Sequence, residues 1–331
     1  MKALVMPAPG GADVLEMQEV ADPRMQGERD LRIQLKAAGV NPIDTKLRDR
    51  GPYIAAGQPA ILGCDGAGVV VEAGRGCTRF RPGDEVFFFN GGIGGATGTY
   101  AEQTVVDERW VAAKPPGLSF VGAAALPLAT ITAWEALFDH GRLQADEDVL
   151  IHAGAGGVGH LAIQLAADAG ARVCTTVGSE EKAAFVRELG AEQPIPYKEV
   201  DFVDAANAFT EGRGVDLAFD TVGPAVLTAS FPAIRFYGRA VTLLEPKGTD
   251  FKQARLRNQS IHLELMLSPL YFGLAEARAH QTAILEDIAR RAAQGRLHVR
   301  IPRVFPLAEG AAAHRLIEEG HMTGKAVLTT D

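Results

Sequence analysis

Val149-Leu150-Ile151-His152-Ala153-Gly154-Ala155-Gly156-Gly157-Val158-Gly159 is the stretch that decides how this chain is read. An apolar run of strand character enters a Gly-x-Gly-x-x-Gly turn. Beyond it Val158, Leu161, Ala162, Leu165, Ala166 and Ala169 recur at helical spacing. That strand, turn and helix context separates a dinucleotide fingerprint from an ordinary glycine-rich loop. Glycine permits a tight turn and lets the backbone approach a pyrophosphate, whose charge then faces the N–H groups at the helix start. Gly154, Gly156, Gly157, Val158 and Gly159 are therefore candidate cofactor-binding residues.

Outward from this stretch, strands alternate with helices. Arg172–Val177, Val215–Asp220 and Arg239–Leu244 read as further strands, Val149–Ala153 being the first. Helical patterns over 158–169, 180–189, 201–211 and 224–234 join them, which predicts a doubly wound parallel sheet. The first 120 or so residues read differently. Leu31–Lys36 alternates apolar and polar, and Gly68–Glu72, Asp84–Phe89, Thr99–Val106 and Trp110–Ala113 are short strands broken by turns, as in a small barrel or sandwich. Helical pattern runs from Ser119 to His140. After about residue 265 come a long helix (Leu274–Gln294), a strand (Val299–Phe305), a short helix (Leu307–Glu319) and a last strand (Lys325–Thr329).

The composition is that of a globular protein. With 331 residues, two domains are expected, and 47% hydrophobic with 22% charged residues excludes disorder. The longest nearly apolar stretch, Ala123–Leu137, falls short of the roughly 20 residues of a membrane span. No basic segment followed by an apolar one opens the sequence, so no export signal is read there. Three cysteines, Cys64, Cys77 and Cys174, make no disulfide framework and suit a reducing cytoplasm. A net charge of −8 argues against a nucleic-acid surface.

The dinucleotide is read from the end of the second strand. An NAD site places Asp or Glu there, about 20 residues after the fingerprint, to hold the ribose 2′-OH. Here the strand ends at Val177, followed by Gly178, Ser179 and Lys182. A hydroxyl and an ammonium suit a 2′-phosphate and favour NADPH. Ser179 as helix N-cap and Lys182 as a solvated first-turn residue are compatible with that role.

The residues then resemble the zinc-independent quinone oxidoreductases, the zeta-crystallin-like branch of the medium-chain dehydrogenase/reductase superfamily. Ala38–Asp44, Arg50–Tyr53, Gly63–Val70, Ala123–Pro127 with Thr132-Ala133, and Gly154–Gly159 with Gln164–Ala166 carry the resemblance. So do Asp220–Gly223, Ala313–Arg315 and Gly324–Leu328, so that it spans nearly the whole chain. It implies an α/β architecture: a GroES-like β-barrel domain, residues 1–122 and 266–331, with an inserted Rossmann doubly wound parallel sheet, residues 123–265. It further implies that Asn41, Thr130, Val222, Gly223, Leu243 and Leu244 line the nicotinamide side. Tyr197 would approach the 2′-phosphate with Gly178, Ser179 and Lys182. A homodimer built through Ser260–Met266 is implied as well. Two departures stand out: Ala167 where the branch often has a basic residue, and Lys46 at the approximate place of a family tyrosine, leaving Tyr53 as the aromatic candidate.

No metal is expected. The resemblance puts Asn41 where related alcohol dehydrogenases have a zinc-ligating cysteine, and Gly63-Cys64-Asp65 where they have Gly-His-Glu. One thiolate does not hold a four-coordinate Zn²⁺. His152, inside an apolar strand, reads as a satisfied core residue. The loop Asn90–Thr99 lacks the Gly-Lys-Ser/Thr of a P-loop and reads either as a mobile loop at the substrate mouth or as a flexible surface connection.

Without a Lewis acid, acceptors that are already polarised are the expected substrates, namely quinones or α,β-unsaturated carbonyls. These need only a hydrogen-bond donor at the oxygen as hydride arrives. The Asn41 amide and the Tyr53 phenol are the candidates, Tyr53 reading equally as a rim aromatic. The expectation is an NADPH-dependent, zinc-free oxidoreductase on a small-molecule substrate. A zinc-type alcohol dehydrogenase and a non-catalytic, crystallin-like NADPH-binding protein are the alternatives.

Overall fold

A computed structural model describes residues 1–51, 60–94 and 97–330. The chain divides into two compact units, one of Met1–Leu128 with Leu267–Asp331 and the other of Ala129–Met266, inserted within it.

In the first unit the organising element is the strand Asp30–Val40. Its first half buries alternate residues (Leu31, Ile33, Leu35) and its second half, Ala37–Val40, is buried throughout. It pairs antiparallel with Asp65–Ala73, Gln103–Asp107 and Ala326–Thr329; Glu85–Phe89 and Val111–Ala113 continue the sheet on one side and Arg303–Pro306 on the other. Leu31, Ile33, Leu35, Val70, Val86, Phe88, Val106 and Val111 form the core between the strands. A second small sheet is made by Lys2–Met6, Glu16–Glu19 and Ala60–Ile61. A helix, Pro42–Arg50, follows directly on the central strand. Its start carries a readable signal, an Asn N-cap followed by Pro at the first helical position.

The second unit is a six-stranded parallel sheet. Its spatial order is Gln193–Pro196, Arg172–Val177, Asp148–Ile151, Val215–Asp220, Ile234–Thr242, Ser260–Leu263. Taken in chain order this is 3-2-1-4-5-6, so the strand order reverses between Asp148–Ile151 and Val215–Asp220, the place where such sheets bind ligands. Helices Gly159–Asp168, Glu180–Glu188, Phe202–Phe209 and Pro224–Ser230 connect the strands.

Several expected boundaries move. The strand read as Val149–Ala153 ends at Ile151, because Ala153 takes a left-handed φ of 52° and turns the chain. The strand read from Arg239 begins at Ile234, and its pairing with Val215–Asp220 slips by a bulge that leaves Phe236 and Tyr237 exposed. The strand read from Thr99 starts at Gln103, and that read from Val299 starts at Arg303. The final segment belongs to the first unit because Ala326–Thr329 pairs with Ala37–Val40.

Candidate active site

The glycine-rich turn is built by the strand beside it. Ala153 N–H donates to Thr176 Oγ1 (2.9 Å) and Gly154 N–H to the Thr176 carbonyl (3.1 Å). A methyl group on Gly154 would stand 2.0 Å from Thr175 Oγ1, and one on Gly159 would stand 2.4 Å from the Ala153 carbonyl. Those two glycines are required by packing. Gly156 is different, since its methyl would meet only the Ala153 carbonyl, at 3.1 Å. Gly156 N–H folds back to Ala153 and His160 N–H to Gly156, leaving the Gly157 and Val158 amides unengaged among the described residues. Unengaged amides at a helix start suit a pyrophosphate.

His152 is a core residue. Ser230 donates its hydroxyl to the Val226 carbonyl, so it accepts from His152 Nε2 (2.8 Å), and His152 Nδ1 accepts from Thr176 (3.3 Å). Burial pushes its pKa down to about 3 and keeps the ring neutral.

One carboxylate arranges the residues expected on the nicotinamide side. Buried Asp220 accepts from the Val222 and Gly223 amides through Oδ1 (2.9 and 3.0 Å) and from the Thr242 hydroxyl through Oδ2 (2.8 Å). The Leu243 N–H donates to its carbonyl, and the Leu244 side chain lies 3.2 Å from where a Gly223 methyl would be. Val222, Gly223, Leu243 and Leu244 are thus neighbours. Thr130 is buried on the helix Pro127–Trp134. Asp220 and Thr242 were not expected as site residues. An acid and a threonine at the ends of adjacent parallel strands would have been the signal.

The strands Arg172–Val177 and Gln193–Pro196 end in register, Val177 opposite Pro196. Gly178 and Tyr197 therefore leave the sheet side by side. A methyl on Gly178 would lie 3.5 Å from Tyr197 Oη and 3.8 Å from Lys198 Cε. Ser179 caps the next helix, its hydroxyl accepting from the Lys182 N–H (3.3 Å). Glycine leaves room here beside the Tyr197 hydroxyl and the Lys198 side chain, with Ser179 next in the chain, polar groups of the kind that suit a phosphate. Lys198 is the addition that register alone reveals.

In the first unit a buried polar cluster surrounds Asn41. Ala326 pairs with Val40 and Gly39 with Asp65, which brings Lys325, Asn41 and Asp65 together. Lys325 Nζ donates to Asn41 Oδ1 and to the Val40 carbonyl (3.3 Å). Asn41 Nδ2 donates to Asp65 Oδ2 (2.9 Å), and Leu128 N–H to Asp65 Oδ1 (2.8 Å). Asp44 Oδ2 accepts from the Asn41 N–H (2.8 Å) and from the Tyr100 hydroxyl (3.0 Å), while His314 Nε2 donates to the Tyr100 oxygen (3.3 Å). Burial pushes Asp44 up to about 7 against the pull of the Asn41 N–H, and Asp65 up to about 6 against the pull of Lys325. Burial lowers Lys325 and raises the Cys64 thiol well above its ordinary range.

With this geometry in hand, comparison with known proteins is informative. Residues 189–328 match the zinc-binding dehydrogenase family, and residues 27–116 the alcohol dehydrogenase GroES-like domain. A quinone oxidoreductase of Pseudomonas aeruginosa is 32% identical over 330 residues, covering 99% of each chain. The chain belongs to the medium-chain dehydrogenase/reductase superfamily. Among solved structures, an alcohol dehydrogenase superfamily protein of Novosphingobium aromaticivorans is 35% identical, with TM-score 0.93 and 100% of both chains covered. The Escherichia coli quinone oxidoreductase complexed with NADPH is 28% identical, with TM-score 0.86, covering 99% of this chain and 100% of its own. The protein is thus a medium-chain oxidoreductase built from a GroES-like domain and a Rossmann-like sheet.

One of those family descriptions names zinc, and the donors around Asn41 do not fit it. Among the described residues no three His, Cys, Asp or Glu side chains come together to hold a metal. Segments 52–59 and 95–96 contain none of these residue types. The cation in the cluster is the ammonium of Lys325, and burial with Asp44 and Asp65 keeps Cys64 a thiol.

Tyr53 lies outside the described residues. Lys46 is exposed on the helix Pro42–Arg50. The described ends of the Asn90–Thr99 loop are not a loose surface connection. Methyls on Gly92 and Gly98 would run into the Gly63 and Leu62 carbonyls at 2.2 and 2.1 Å, and buried Asn90 accepts from Arg278 Nη2 (2.7 Å). Those glycines serve close backbone packing.

Proposed function

We propose that this oxidoreductase is NADPH-dependent and zinc-free, and reduces a quinone or an α,β-unsaturated carbonyl. The observation that carries the reaction type is the Asn41 amide. It is a neutral donor in a cluster whose cation is a lysine and which offers no metal donor set. Such a site suits acceptors that are already polarised, whose reduction needs a hydrogen bond at oxygen rather than a Lewis acid. When bound, the reduced nicotinamide supplies the hydride. Gly154, Gly156, Gly157, Val158 and Gly159 would hold its pyrophosphate. Asp220, through Val222, Gly223 and Thr242, sets the wall formed with Leu243 and Leu244. Thr130 completes that side. Asn41, with Tyr53 as second candidate, would donate to the substrate oxygen, with solvent completing protonation.

Preference for NADPH over NADH is supported by the Gly178 niche, where Ser179, Lys182, Tyr197 and Lys198 offer hydroxyls and ammonium groups to a 2′-phosphate. Three free cysteines suit a reducing cytoplasm, and no helix among the described residues is long and apolar enough to cross a membrane. A homodimer through the edge strand Ser260–Leu263 is supported by the exposure of Leu263 (59%) and Leu265 (58%).

The decisive experiment is a turnover panel of quinones, enals and simple alcohols, followed by loss of reduced-nicotinamide absorbance, with metal analysis of the same sample. NADPH oxidation by quinones or enals without bound metal is expected. Stoichiometric tightly bound zinc with alcohol oxidation would assign the zinc-type activity instead, and no turnover on any acceptor would point to the non-catalytic reading.

A further inference from the structure

An asparagine amide can sit in two orientations, its oxygen and nitrogen exchanged, and only one of them offers an N–H where it is needed. At Asn41 the choice is made by charge. The oxygen faces the Lys325 ammonium and the nitrogen faces the Asp65 carboxylate. Turning the amide over would set its NH₂ against an ammonium and its oxygen against a carboxylate, two repulsions in a site where all three side chains are at most 3% exposed. We propose that Lys325 is a positioning residue for the reduction: with Asp65 it locks the Asn41 amide in the single orientation that leaves its second N–H to the substrate oxygen.

The arrangement is built into the backbone. Gly324, at φ 84°, turns the chain, and the Lys325 N–H is tied to the Arg300 carbonyl (2.8 Å). The antiparallel register of Ala326 on Val40 then sets Lys325 opposite Asn41. Gly39, paired with Asp65, has no space for a side chain, since a methyl would stand 2.4 Å from the Ala124 carbonyl and 3.0 Å from Asp65 Cβ. Asp65 is held from its other side by the Leu128 N–H. The other ionisable groups facing the cluster are Asp44 on the same helix as Asn41's cap, Cys64, Tyr100 and His314. Asp44 is bound by the Asn41 backbone N–H and Tyr100, so it fixes the residue's backbone while Lys325 and Asp65 fix its side chain.

This inference rests on Asn41 being the hydrogen-bond donor, and a mutant cycle separates the two claims. The variants are Asn41→Ala, Lys325→Met and the two combined, measured with NADPH and 1,4-benzoquinone. Removing a transition-state donor costs about 10² or more in kcat. Asn41→Ala is expected to show a loss of that order, and Lys325→Met a loss of at least about tenfold, both with NADPH affinity by fluorescence titration within about twofold of wild type. The combined variant is expected to be no slower than Asn41→Ala alone. A lysine with a merely structural role would slow both backgrounds by the same factor, which would overturn the proposal. Full activity of Asn41→Ala would instead overturn the donor assignment beneath it. Removing Lys325 strands a buried carboxylate, which destabilises strongly. Should Lys325→Met not fold, Lys325→Met/Asp65→Asn, with both charges removed, goes through the same cycle with the same expected non-additivity.

Discussion

Gly178 is followed within four residues by Ser179 and Lys182, and Tyr197 and Lys198 reach it from the neighbouring strand. If the proposed 2′-phosphate site includes Lys182, reversing its charge in Lys182→Glu is expected to lower the ratio of kcat/KM for NADPH over NADH at least about tenfold. An unchanged ratio in steady-state kinetics would remove the phosphate assignment. Asp44 offers a different test. Its folded pKa, about 7, lies above the ordinary 3.8, so the native state binds the extra proton. The stability this group contributes is present below about pH 4 and is lost as pH rises toward about 7. Asp44→Asn is expected to flatten that part of the urea-midpoint profile, whereas an unchanged slope would show the carboxyl ionised throughout. His152, held near 3 by burial, acts with the opposite sign: stability falls as pH drops below about 6.5. Of these residues Ser179, Lys182 and His152 were legible in the sequence. Lys198 and Asp44 were not, because strand register and burial give them their neighbours.

The strand, turn and helix at Asp148–Asp168 divides the work of its glycines between two tasks. Gly154→Ala drives a methyl into Thr175 Oγ1, within 2.0 Å, and is expected to lower Tm by several degrees. Gly156→Ala sets its methyl 3.1 Å from one carbonyl oxygen, a milder contact, so it is expected to lower Tm less than Gly154→Ala while weakening NADPH binding about tenfold or more. Thermal melts and fluorescence titration of the two variants check this, and equal effects of both on both readouts would contradict the division. The sequence located this element by its motif, an apolar run entering a Gly-x-Gly-x-x-Gly turn that opens a run of apolar residues at helical spacing. It missed the turn's conformation, since the positive φ falls on Ala153 rather than on a glycine. Likewise the helix Pro42–Arg50, mostly charged and polar, carries little apolar period and is absent from the sequence reading, although an Asn N-cap and a Pro at the first position mark its start.

Across the whole molecule, the first unit is closed by its own far end. Ala326–Thr329 completes the sheet begun by Asp30–Val40, and that pairing also delivers Lys325 to Asn41. The proposed dimer belongs to this scale. A parallel edge at Ser260–Leu263, unpaired on its outer side among the described residues and holding or followed by exposed leucines, is a surface that a second copy would cover. Leu263→Asp/Leu265→Asp is expected to convert a dimer to monomer at micromolar concentration, read by light scattering coupled to size exclusion. A wild-type protein that is already monomeric would refute the dimer outright.

The sequence by itself determined the alternating strands and helices, the glycine turn and the family, because these are written in local periods and in motifs of adjacent residues. Through the resemblance it also supplied the expectation that Asn41 and Gly63-Cys64-Asp65 stand where related dehydrogenases place zinc ligands, which the zinc-free proposal builds on. Only the tertiary structure decided what replaces such a pair. Lys325 lies 284 residues from Asn41, and Asp220 and Thr242 meet only because their strands are neighbours in the parallel sheet. Charges separated by that much chain interact through register and burial, and neither has a local signature in the residues alone.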